Sequence, residues 1–302
     1  MSEHHHHHAA SGKNLFITIL LNIIITLSQI IGGLLSGSLA LLSDALHNFS
    51  DVLALVIAYA ANRLAARPGT ESRTFGYKRA EILAALFNGS VLIGIAVFLI
   101  VESLHKLYHP EAVNSAWVIG LGLLSIFLNA ASVLLVKGDA EESINIRAAY
   151  LHLLTDVMTS IAVVGGGLLM YYFHLFWVDP LISMLIALYL IRASLELLGE
   201  STAILMQFTP EALKVEEIAR VIDTLPAVAN IHHIHLWSLD DHEIFLEAHI
   251  DFRENLPLQE VTGVITAIET LLEERFGVTH TTLQAEYRRC DDKRLIAGTD
   301  PS

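Results

Sequence analysis

His47 and Asp51 stand four residues apart in SDALHNFSD (43–51), within a stretch otherwise rich in Leu, Ala, Val and Ile. On a helix, positions i and i+4 share one face. The spacing returns in LHLLTD as His152 and Asp156. Two imidazoles and two carboxylates give four nitrogen and oxygen donors, the set that suits a tetrahedral zinc ion, with Co²⁺, Cd²⁺ and other divalent ions as competitors. Asp44, Asp51 and Asp156 all fall inside apolar segments, where each carboxylate costs about 2.5 to 3.5 kcal/mol at the centre of a membrane helix. Protonation, pairing with histidine or a bound cation would offset that cost, and a cation would explain why each carboxylate is coupled to a nearby histidine. Polar interhelical contact is the plainer role, and it suffices for Asn22, Gln29, Asn88 and Asn129. A closed four-ligand site is also what structural zinc shows. Structural zinc, however, staples small domains without a core, so a dication at bilayer depth reads better as cargo. Because imidazole and carboxylate must shed protons to hold zinc, binding is linked to proton movement in the opposite sense.

The elements that position these residues follow from composition. Of 302 residues, 53% are hydrophobic and 17% charged, and mean hydropathy is positive, which marks an integral membrane protein. A single cysteine, Cys290, excludes an intrachain disulfide framework and a thiolate zinc cluster. Net charge is −14, yet residues 200–302 hold 19 acidic and 8 basic residues. That third reads as a separate soluble domain whose acidity argues against nucleic acid or an anionic lipid surface as its partner.

Six segments reach the roughly 20 apolar residues a span needs: 14–35, 38–63, 80–107, 115–136, 145–173 and 178–199. The first is long enough to be a membrane helix and lacks a cleavage pattern. His4 to His8 before it are a tag or a native metal-catching tail, set aside from the fold. The link 63–80 carries Arg63, Arg67, Arg73, Lys78 and Arg79, the link 137–147 carries Lys137 and Arg147, and the opposite links offer only Lys106. The positive-inside rule therefore makes both termini cytoplasmic. From Thr209 the pattern predicts a short helix to about Thr224, strands at 231–239 and 243–250 around a turn at Asp240, Asp241 and His242, a helix through Val261 to Leu272, and a strand at 279–288. The expected fold is an all-α six-helix transmembrane bundle followed by a small α+β (αββαβ) cytoplasmic domain. The expected division is a tail at 1–12, the bundle at 13–207, the cytoplasmic domain at 208–290 and a disordered tail at 291–302.

The chain resembles the cation diffusion facilitator family of zinc transporters. The likeness rests on the two ligand pairs, on FGYKRAEILAALFN (75–88) and on HHIHLW (232–237), and runs from about residue 13 to 290. It implies a homodimer of six-helix protomers that exports zinc or a related metal by proton antiport and alternating access, with a metallochaperone-like αββαβ domain, in a bacterial inner membrane. Carried over residue by residue, His47, Asp51, His152 and Asp156 form the transport site, and His47 in the first position points to zinc over cadmium. Asp44 matches the family pattern but exceeds a tetrahedral count. It is a supporting or proton-handling group, or a polar packing residue. His232, His249, His280 and Glu286 fall where the family places regulatory metal ligands, with His235 as an accessory. His233 is excluded by strand alternation, and His242 belongs to a surface turn. AARPGTESR in the first basic link lacks the extra Asp and His ligands that some family members carry there, and GDAEES lacks the histidine-rich insertion of many eukaryotic relatives. His105, His109 and His174 read as surface histidines at the opposite membrane face.

Partners are thus divalent metal, protons, membrane lipid and a second copy, with no nucleic acid. An enzyme is not expected, because neither ligand pair is accompanied by the glutamate of an HExxH-type hydrolase. The remaining rival is a zinc sensor that signals through the cytoplasmic domain without net flux.

Overall fold

The computed structural model describes residues 7–137, 144–289 and 294–296. Six long helices come first: α1 (His7–Ser36), α2 (Leu39–Ala65), α3 (Ala80–Tyr108), α4 (Ser115–Lys137), α5 (Ile144–Phe173) and α6 (Val178–Leu205). All six contain a stretch long and apolar enough to cross a membrane. Helix α1 begins at His7, inside the segment expected to be a tail; residues 1–6 lie outside the described residues. Helix α6 runs six residues past the expected end. Hydropathy stops at Glu200, but a helix stops only at a breaker. Here the breaker is Gln207 at φ 58°, after which the Phe208 amide donates to the Ala203 carbonyl at 2.8 Å.

The bundle turns apolar side chains outward and keeps small and polar ones inside. Leu34, Leu35, Phe127 and Leu134 are among its most exposed residues, while Ser125, Asn129 and Ser132 on α4 are buried. In lipid, association rests on close packing of small residues rather than on hydrophobic burial. Gly122 shows it: a Cβ there would lie 2.5 Å from Val164 of α5.

By compactness the chain forms two units, one of residues 1–60 and 87–198, the other of 61–86 and 199–302. The second contains α7 (Val215–Ile222), β1 (Val228–Ser238), β2 (Ile244–Phe252), α8 (Leu258–Phe276) and β3 (His280–Glu286), the expected αββαβ order. β1 and β2 are antiparallel, β2 and β3 parallel, in the order β1-β2-β3. The hairpin turn is fixed by Asp240, whose carboxylate accepts the amides of His242 and Glu243 at 2.9 and 2.8 Å. Ile218 and Ile222 of α7 and Ile268 and Leu272 of α8 close over Ile231, Ile234, Leu246 and Ile250 of the sheet. α8 ends at Gly277 in the left-handed region, with its amide on the Glu273 carbonyl.

Ile231 and Ile234 both enter this core although they are three residues apart. Strict alternation forbids that. A register shift between His232 and His235, with His233 at φ 50°, inserts the extra residue. The amides freed there are accepted by the carbonyls of Arg294 and Leu295, at 3.2 and 2.7 Å. The segment 294–296 is therefore docked, within a tail expected to be disordered; residues 290–293 and 297–302 lie outside the described residues.

Candidate metal centres

In the bundle, α2 contributes His47 and Asp51 and α5 contributes His152 and Asp156, each pair one turn apart. The structure brings all four together. His47 Nδ1 lies 3.5 Å from Asp51 and its Nε2 3.7 Å from Asp156. His152 Nε2 lies 3.3 Å from Asp51 and 3.9 Å from Asp156. Ligand atoms on a tetrahedral zinc ion are separated by about 3.4 Å, given metal–ligand bonds of about 2.1 Å. His47, His152 and Asp156 can offer one atom each with all three within 4.8 Å of one another. Asp51 is not in that trio but lies beside both imidazoles, 3.5 Å from His47 Nδ1 and 3.3 Å from His152 Nε2.

Exposure is uneven across the site. The side chains of Asp156 and His47 are 1% and 9% exposed, those of Asp51 and His152 28% and 41%. Asp51 and His152 line a cleft of about 500 Å³ together with Thr18, Asn22, Ala58 and Val136. Val136 is the penultimate residue of α4, so the cleft lies in the half of the bundle nearer the 137–147 link.

On the other side of the site the bundle is closed by polar contacts. Asp44 is fully buried and accepts Gln29 Nε2 at 2.5 Å and Ser160 Oγ at 3.4 Å. Gln29 also donates to Ser125 and accepts from Asn48, each at 3.1 Å, and Ser125 meets Ser160 at 2.8 Å. Gln29, one of the residues read as polar packing, thus ties α1 to α2 and α4. Farther along, Ser43 meets Ser183 at 2.6 Å. At the end, Asp179 accepts Ser38 Oγ at 2.5 Å and the amides of Leu39 and Ala40 at 2.6 and 3.4 Å. A buried carboxylate at the start of α6 therefore caps the first turn of α2, where unsatisfied amides favour an anion. Asp179 with Pro180 opens the sixth apolar segment, 178–199. Its place inside an apolar segment beside Pro180 was the available signal.

In the second unit, His232 of β1 pairs across the ladder with His249 of β2. Glu286, at the end of β3, reaches both, with 3.5 Å to His232 Nε2 and 3.2 Å to His249 Nδ1. His232 is fully buried and its Nδ1 lies 2.8 Å from Asn230 Oδ1. Gln284 donates to Glu286 at 2.6 Å. His233, excluded by alternation, is part of the group: His232, His233 and His249 can offer ligand atoms within 4.8 Å of one another. The bulge is the reason, since it carries His233 to the face of His232. His280 and His235 are not brought to this cluster. His280 is exposed and packs on Phe245 at 4.5 Å. It lies four ladder positions from the His249 level, about 13 Å along a strand. His235 is exposed opposite Glu247. His105 and His109 stack at 5.0 Å on the surface, and His174 is exposed, as expected for histidines outside the sites.

Comparison with known proteins gives matches along almost the whole chain. Residues 15–206 match the cation efflux transmembrane domain and residues 210–288 match the cytoplasmic domain of cation efflux proteins. A cadmium, cobalt and zinc/H(+)-K(+) antiporter of Bacillus subtilis is 36% identical over 260 residues, covering 85% of this chain and 83% of the relative. The zinc transporter ZitB of Pectobacterium atrosepticum is 34% identical over 293 residues, covering 96% and 90%. The metal cation efflux system protein CzcD of Cupriavidus metallidurans is 32% identical, covering 88% and 83%. With six apolar helices, an αββαβ cytoplasmic domain and these matches, the chain is an integral membrane protein that belongs to the cation efflux family, the cation diffusion facilitators.

Proposed function

We propose that the chain exports a divalent cation, zinc foremost, in exchange for protons, and that His47, Asp51, His152 and Asp156 carry the ion. The observation that carries this reading is the spacing of the four side chains. Across the two pairs, Asp51 lies 3.3 Å from His152 Nε2 and Asp156 lies 3.7 Å from His47 Nε2, close to the edge of a zinc tetrahedron. Family membership and relatives named as zinc transporters and antiporters support the same reading. Access from one side only, with the Asp44 network and the Asp179 cap closing the other, fits one state of an alternating-access cycle. The positive-inside pattern makes the open side cytoplasmic. Zinc would then enter from the cytoplasm as protons leave the imidazoles and carboxylates, and be replaced by protons after release on the far side.

The proposal extends to a bundle at 13–207, a cytoplasmic domain at 208–290, a homodimer, and a cytoplasmic zinc site built on His232, His233, His249 and Glu286. His280 and His235 stand outside that site within one protomer. Asp44 serves to fix α2 against α1 and α5 rather than as a fifth ligand.

The test is zinc-driven proton flux in proteoliposomes, with the intact chain compared with Asp51→Ala and His152→Ala. Coupled flux in the intact chain and its loss in both variants is expected, with zinc preferred over cadmium and manganese. Undiminished flux in the variants would sink the site assignment. An intact chain that binds zinc yet moves none would favour the sensor reading.

A further inference from the structure

Within the second unit, the 63–80 link and the sheet enclose a groove of about 460 Å³. Its apolar wall is formed by Leu64, Phe75, Leu83, Trp237, Leu239 and Phe245. The aromatic rings support one another, with Phe75 edge-on to Phe245 at 5.7 Å and Trp237 stacked on Phe245 at 5.6 Å. Phe75 and Leu83 remain more than half exposed. Two cations sit at the groove, Lys78 and Arg79. Lys78 is ion-paired with Glu243. Arg79 differs: its Nε is buried and has no hydrogen-bond partner among the described residues. It also directly precedes α3, so the guanidinium stands at the positive end of a helix. A guanidinium Nε–H that is buried without a partner calls for an anion.

The position selects the kind of anion. Leu64 lies in the last turn of α2 and Leu83 in the first turn of α3, and both helices are long enough to span. The groove therefore sits where spanning helices meet water, the level at which Trp and Tyr gather and basic pockets meet lipid headgroups. The C-terminal domain is acidic, which argued against an anionic lipid surface as its partner. Both cations here come instead from the basic link. We propose that this groove seats one anionic phospholipid, its phosphate on Arg79 and its acyl chain along Phe75, Leu83 and Trp237.

Trp237 is one of only three tryptophans in the chain, so it can report on its own. In the full-length Trp117→Phe, Trp177→Phe protein it would be the sole indole. Nanodiscs of phosphatidylcholine with about one fifth phosphatidylglycerol are prepared twice, with bromine either on the phosphatidylglycerol or on an equal amount of the phosphatidylcholine. Headgroup composition is then identical and only the identity of the quenching neighbour changes. Quenching of Trp237 is expected to be about twofold or more stronger with bromine on the anionic lipid. Arg79→Gln should abolish that difference, and an excess of inorganic phosphate should leave it in place. Equal quenching in the two discs overturns the proposal without any change at Arg79, and so does a preference that persists in Arg79→Gln. Loss of the preference in phosphate would reassign the groove to a free anion. Absence of quenching by either lipid would give it to a protein segment.

Discussion

Asp179 offers a prediction whose size can be worked from contacts. Its carboxylate is fully buried and accepts Ser38 Oγ at 2.5 Å, the Leu39 amide at 2.6 Å and the Ala40 amide at 3.4 Å. Hydrogen bonds to a charged group contribute about 1.5 to 3 kcal/mol each. Counting the two short ones and neglecting the long one gives an upper range near 3 to 6 kcal/mol. Burial of the carboxylate offsets part of that. Ser38 Oγ still accepts the Leu41 amide at 3.1 Å, so α2 keeps one cap. Asp179→Ala is therefore expected to cost about 3 kcal/mol, and Asp179→Asn, which keeps one acceptor oxygen, about 1 kcal/mol. Thermal unfolding in detergent should read this as a fall of roughly 6 to 12 °C for Ala and roughly 2 to 4 °C for Asn. Because α2 carries His47 and Asp51, zinc flux should fall in the same order. An Ala variant within about 2 °C of the parent, or an Asn variant as damaged as Ala, would refute the reasoning. Either would mean that desolvation cancels the cap, or that geometry rather than hydrogen bonding sets its worth.

Four further outcomes follow from the same structure. Gly122→Val should lose about 1 to 3 kcal/mol by overpacking, since a Cβ at Gly122 already meets Val164 at 2.5 Å; a melting temperature equal to the parent's would show that α4 and α5 are not locked. Asp44→Ala removes the acceptor of Gln29 and should destabilise the bundle by about 1 to 3 kcal/mol, while zinc stoichiometry at the transport site stays the same; loss of one bound zinc would make Asp44 a ligand. His233→Ala should weaken zinc binding by the full-length chain about tenfold or more at the cytoplasmic site, and His280→Ala should leave it unchanged; equilibrium dialysis with the transport pair disabled decides, and the reverse order would contradict the bulge argument. Zinc binding at both sites should weaken as pH falls, because only neutral imidazole ligates and protons compete with metal; an affinity independent of pH would exclude histidine ligation.

What could be read in the sequence was what repeats or has a period. The two His-xxx-Asp pairs share one helical spacing, and the structure sets them 3.3 and 3.7 Å from each other. The six spans and the αββαβ order followed hydropathy and alternation. What escaped depended on single local departures from those periods. His233 looked opposite to His232, and one bulge residue at φ 50° brought them together. His280 shared residue type with the cluster, but the parallel register of β3 sets it beside Phe245. Asp179 and Ser38 are far apart in sequence, and no spacing rule links the start of one helix to the side chain of another. The Lys78–Glu243 pair is hidden for the same reason, between a basic link and an acidic hairpin.

The most direct measurement is zinc X-ray absorption on full-length protein carrying His232→Ala and His249→Ala, loaded with a single equivalent of zinc. His4 to His8 are replaced by serine in the same protein, so that with the tail and the cytoplasmic cluster disabled the signal comes from the bundle. The account predicts four light-atom ligands at about 2.0 to 2.1 Å, two of them imidazole, and their loss in Asp51→Ala or His152→Ala. A shell with fewer than two imidazoles, a six-oxygen shell, or a spectrum unchanged by either substitution would contradict it.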